Sequence, residues 1–145
     1  MTTPITRVTV GSVVSHTNGS AVANNAYCVS GDAVRIQNTS NALLADFRLT
    51  GVTFGTAPVA GCLQLAKAPR DLSGNIGPTP SATLVPTQVW TFGPVPAASN
   101  ASTGWIMSID SVPIDADADY WIYNNGTGYS LTAATIAYQL WSPGS

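Results

Sequence analysis

The chain has 145 residues and a formal charge of −2, and charged side chains make up only 8% of it, against about a quarter in an ordinary globular protein. That length suits a single domain with one core. The five basic residues, Arg7, Arg35, Arg48, Lys67 and Arg70, are scattered along the sequence, which argues against a nucleic-acid partner, and no run of about 18 apolar residues could span a bilayer.

Polarity comes instead from 17 Thr, 14 Ser and 9 Asn, and glutamate is absent. Helices draw their exposed faces from Glu, Lys, Gln and Arg, so this composition favours an all-β fold before any segment is read. The N-terminal stretch Met1-Thr-Thr-Pro-Ile-Thr-Arg7 has no basic segment followed by an apolar one, so the expectation is a soluble chain made in the cytoplasm without a signal peptide.

Apolar–polar alternation bounded by Gly, Pro and Asn predicts strands over 5–10, 26–30, 33–38, 44–54, 61–66, 87–92, 104–110, 119–124, 129–131 and 135–141. So many short strands in one domain predict two packed antiparallel sheets, a β-sandwich of jelly-roll or related Greek-key order, with no helix beyond about two turns.

After the first strand, His16 falls in Ser-His-Thr-Asn-Gly-Ser, read as an exposed turn with no nucleophile elbow to make the histidine catalytic. Asn18, Asn38, Asn100 and Asn125 each begin an Asn-x-Ser/Thr triplet. Without a signal peptide these read as turn residues, because Asn-Gly favours tight hairpins. Cys28 and Cys62 are expected as two buried thiols in a reducing compartment, and with His16 alone they cannot complete a zinc site.

The alternation stops over 67–86, which contains four prolines and two glycines and predicts a long Pro-rich loop or extended arm. Its apolar residues Leu72, Ile76, Leu84 and Val85 favour docking on a partner over packing on its own domain. A second, blander loop is predicted over 93–103. Next comes Asp115-Ala-Asp-Ala-Asp119, whose spaced carboxylates superficially suggest calcium. An EF-hand loop needs Gly at its sixth position and Glu at its twelfth, but here those positions hold Tyr120 and Gly126. A solvated acidic turn is the expectation, with no metal and no cofactor.

Asp46, Asp71 and Asp110 form no evident acid–base pair, so no catalytic residue is assigned and the chain reads as a structural or binding module. Trp90, Trp105, Trp121 and Trp141 are candidate core or interface anchors. In the last strand Ile136, Tyr138 and Leu140 alternate with Ala137, Gln139 and Trp141, which places Trp141 on the outer face as an exposed interface residue.

Residues 110–144, with Ile109 just before them, carry Ile109-Asp-Ser-Val-Pro-Ile114, Asp119-Tyr-Trp-Ile-Tyr-Asn-Asn-Gly126 and Tyr138-Gln-Leu-Trp-Ser-Pro-Gly144. With the size and character of the chain, this segment resembles the head cement, or decoration, proteins of tailed phages. The resemblance implies a jelly roll on the exterior of the virion capsid, bound to the major capsid protein and clamping its neighbouring subunits. It also implies a homo-oligomer, a dimer before a trimer. The contact candidates are Leu72, Ile76, Pro78, Pro80, Leu84 and Pro86 in the arm, with Trp141 and Pro143 at the C-terminal end. The alternative is a carbohydrate-binding β-sandwich of phage-fibre or lectin type, using exposed Trp and Asn or Asp side chains.

Overall fold

A computed structural model describes residues 6–58, 60–94 and 105–144. Most of the loop predicted over 93–103, including Asn100, lies outside the described residues. The strands are β1 (Thr6–Thr17), β2 (Ala26–Tyr27), β3 (Val34–Gln37), β4 (Leu44–Phe54), β5 (Cys62–Pro69), β6 (Gln88–Pro94), β7 (Trp105–Pro113), β8 (Asp117–Asn125) and β9 (Leu131–Gly144). The only helical element among the described residues is a 3-10 turn at Ser30–Asp32.

Two antiparallel sheets pack face to face. One has the order β1-β9-β4-β7 and the other β2-β8-β5-β6, with β3 also on β8. β2 meets Tyr123 and Asn124 while β3 meets residues Asp117 to Tyr120, so the two lie end to end along the same edge of β8. Counted as one broken strand, they give eight strands in which first pairs with last, second with seventh, third with sixth and fourth with fifth. That nesting is the jelly roll.

The core lies between the sheets, filled by inward-pointing residues of the strands other than β1. Phe47, Leu49, Leu63, Leu65, Tyr120, Ile122 and Ile136 are each 0–1% exposed. Burying one such apolar side chain contributes roughly 1.5–3 kcal/mol. Asn124, 0% exposed, is a polar post within this core. Its Nδ2 donates to the carbonyls of Val22 (3.0 Å) and Tyr129 (2.8 Å), and its Oδ1 accepts from Thr127 Oγ1 (2.6 Å), tying two loops to β8.

Three strand predictions need correction. The segment predicted over 26–30 is strand only at Ala26–Tyr27, and its last residue, Ser30, opens the 3-10 turn. β1 does not stop near Val10 but runs on to Thr17, because a bulge at Gly11 (φ +71°) absorbs the extra residues and pairing resumes at Val14 opposite Tyr138. Gln139 Nε2 stitches the bulge by donating to the carbonyls of Val10 (3.2 Å) and Gly11 (3.1 Å). His16 therefore sits on a strand and not in a turn. Of the segment predicted over 129–131 only Leu131 is strand, and it opens the strand that runs through 135–141, held continuous by pairing of Ala133 with Thr53 and of Thr135 with Thr50.

Candidate partner-binding surface

The Pro-rich segment is a braced loop, not a free arm. Lys67, Ala68 and Pro69 still belong to β5, so the connection between β5 and β6 spans residues 70–87. Its first residue anchors it: the Arg70 amide donates to the Asp117 carbonyl (3.0 Å), and its guanidinium grips both carboxylate oxygens of Asp119, at 2.9 and 3.0 Å. The same guanidinium donates to the Gly74 carbonyl at 3.0 Å, drawing the loop back onto β8.

Asp71 organises the next turn. Its Oδ1 accepts from the amides of Ser73 and Asn75, both at 2.8 Å, and its Oδ2 from Asn75 Nδ2 at 2.9 Å. The Asn75 side chain foremost, then the loop amides, hold the Asp71 carboxyl below its usual range. Gly74 closes the turn at φ +83°, beside Arg35. A second turn follows, in which Ser81 and Leu84 exchange backbone hydrogen bonds at 3.2 Å.

These turns aim apolar side chains at solvent. Leu72 is fully exposed, Ile76 is 65% exposed, Val85 62% and Leu84 53%. Pro78 is also exposed and Pro86 half-buried, whereas Pro80 is buried and serves the loop's own packing. Pro78, Pro80, Leu84 and Pro86 line, with Lys67 and Pro69, a groove of about 330 Å³. Leu72 also borders a cleft of about 410 Å³ lined by Gln37, Asn38, Thr39, Asp71, Asp115 and Asp117.

Trp141 is corrected in one respect. It does point to the outer face, but it is only 9% exposed. The Arg7 guanidinium covers its ring at 4.4 Å from the centroid, and its Nε1 donates to Asp46 Oδ1 at 3.0 Å. Pro143 nearby is exposed. Trp121 is buried as well, and Trp90 and Trp105 are half-buried, so none of the four tryptophans is an open stacking platform.

The acidic stretch is corrected too. Asp115 pairs with Lys67 (2.9 Å), Asp117 with Arg35 (2.7 Å) and Asp119 with Arg70 (2.9 Å), so cations distant in sequence converge on what read as a solvated turn. The arginine forks neutralise it. No group of three or more His, Cys, Asp or Glu among the described residues could hold a metal ion.

Elsewhere Arg7 pairs with Asp46, Arg48 with Asp110 and His16 with Asp32, and Asp71 is spent on its loop. Each basic side chain thus has an aspartate of its own, a pattern invisible in the sequence because the pairs span up to 82 residues. The thiols of Cys28, buried, and Cys62, half-buried, are free; burial pushes the Cys28 thiol up to about 11. No known protein family and no curated protein matches this chain.

Proposed function

We propose that this chain is a virion structural protein that binds the outside of an assembled phage capsid and stabilises contacts between neighbouring major capsid subunits. The observation that carries the reading is the braced loop, which holds Leu72, Ile76, Leu84 and Val85 in solvent beside a surface whose charges are already paired. The ordering cost of such a loop is met within its own fold. Burial of its side chains can then contribute at about 25 cal/mol per Å² with little conformational entropy to offset it. The likeness of residues 110–144 to head cement proteins supplies the class of partner.

With few free charges, attachment should depend weakly on salt. The test is co-sedimentation of the purified protein with capsids, comparing wild type with Leu72→Ser/Leu84→Ser and with a deletion of residues 71–83. Retention is expected for wild type and loss for both variants. Full retention of both variants, with unchanged heat resistance of the capsids, would reject the contact surface; failure of the wild type to bind any capsid would reject the function.

The carbohydrate-binding alternative has one feature in its favour, the cleft beside Leu72, where Gln37 and Thr39 offer hydrogen-bonding groups to a neutral polyol. Binding on a glycan array that is abolished by Gln37→Ala, with no capsid retention, would select it.

A further inference from the structure

Each sheet of a sandwich has two edges, and an unprotected edge is a template for another strand. Three of the four edges here are guarded. β6 and β7 lie against each other. β6 also breaks register at Gly93 (φ +118°) and ends in Pro94, and β7 breaks register beside Ser111 (φ +59°) and ends in Pro113. The edge formed by β2 and β3 is split into pieces of two and four residues.

β1 differs. It is 12 residues long and among the described residues hydrogen-bonds to β9 alone, so alternate amides and carbonyls along its other edge have no strand partner among them. Between Thr6 and the Gly11 bulge it has neither proline nor a free charge, since Arg7 is folded over Trp141 and paired with Asp46. Val8 and Val14 lie opposite Ser142 and Tyr138, on the face that carries Ile136, yet they are 50% and 44% exposed because the second sheet does not reach them.

We infer that β1 pairs with β1 of a second copy of this chain, antiparallel about a two-fold axis at Thr9. A two-fold interface must be self-complementary. The centre of Arg7-Val-Thr-Val-Gly11 meets that condition, because Val8 and Val10 mirror each other about Thr9 and each Arg7 falls opposite a Gly11 with no side chain to clash. The pairing sets Val8 against the partner's Val10 on the valine face and Thr9 against the partner's Thr9 on the other. The bulge at Gly11 ends it at both ends, which limits the assembly to a dimer and prevents open-ended sheet growth. Two four-stranded sheets become one of eight, independently of any capsid.

The test uses the whole chain. Sedimentation equilibrium at about 100 µM should give twice the monomer mass of 14.9 kDa, and Val8→Lys should return the monomer with an unchanged circular dichroism spectrum. Thr9→Cys should cross-link to its counterpart under mild oxidation, since opposed antiparallel residues sit about 4.5–5.5 Å apart, within disulfide range. Wild type, with Cys28 and Cys62, and Val13→Cys on the bulge should not. A monomeric wild type, a trimer or larger ring, a Val8→Lys dimer, or no cross-link at Thr9→Cys would each overturn the inference.

Discussion

Asp46 Oδ1 accepts from both Trp141 Nε1 at 3.0 Å and the Ser111 amide at 2.9 Å, which makes one carboxylate the junction of β4, β7 and β9. Arg7 of β1 completes the junction as the counter-charge. Asp46 is only 7% exposed, so its removal strands donors that water cannot easily reach. Asp46→Ala should lower the unfolding free energy by about 3 kcal/mol in a urea titration, with a red shift of tryptophan emission. A loss under about 1 kcal/mol would show that the junction is not structural. Trp141→Ala should cost as much through its cavity, so it is a poor probe of partner binding.

Stability should fall in acid. Arg35 holds the Asp117 carboxyl below its usual range, and Asn75 does the same for Asp71. Burial alone would raise Asp32, but the Gly19 amide, His16 and the Ser20 amide outweigh it and its pKa is also lowered. Depressed carboxyls contribute stability above their unfolded pKa near 4, and that contribution is lost as pH falls through the folded values. The melting temperature should therefore drop progressively below about pH 4. Replacing Asp32 and Asp117 by Asn should lower the plateau and flatten this acid limb; an unchanged limb would contradict the assignment.

Gly61 lies at φ +80°, where a Cβ would come within 2.4 Å of the Asn125 carbonyl oxygen, a backbone atom that cannot swing away. Gly61→Ala should destabilise by more than about 2 kcal/mol, combining left-handed strain with the clash. Gly77→Ala, where nothing lies within 4 Å, is the control and should be near neutral. Equal effects in a denaturant titration would count against the geometry.

Thiol labelling should separate the cysteines. Cys28 is 3% exposed and burial pushes its pKa up to about 11, so at pH 8 it is both covered and protonated. Cys62, half-buried near Asn125 Nδ2, should react first with an aromatic disulfide reagent, and Cys28 only as the fold opens. Simultaneous labelling of both in native buffer would show that Cys28 is not enclosed.

Strand existence was legible wherever one face is buried and the other wet. β3 reads buried, exposed, buried, exposed along Val34-Arg-Ile-Gln37, and parity alone assigned its faces. Parity also put Trp141 on the correct face. It could not foresee that Arg7 and Asp46, 134 and 95 residues away in sequence, would cover it. The acidic stretch failed for the same reason: Asp115, Asp117 and Asp119 are neighbours in the chain, but Lys67, Arg35 and Arg70 reach them only once β3, β5 and β8 lie side by side. Local pattern carries the period of a strand; which strands become neighbours is a property of the whole chain.

The pairing of Thr6 with Gly144 joins the first strand of the fold to its last. During synthesis β1 emerges ahead of the other strands described, but β9, its neighbour among them, is finished only when residue 144 is made. The ring closed by that pair is the widest the topology contains, and loop-closure entropy opposes it until β4 has already captured β9. A valine-bearing strand therefore waits for β9 while the seven strands between them are made, and crowding of nascent chains at that stage is the point at which this jelly roll is most open to misassembly.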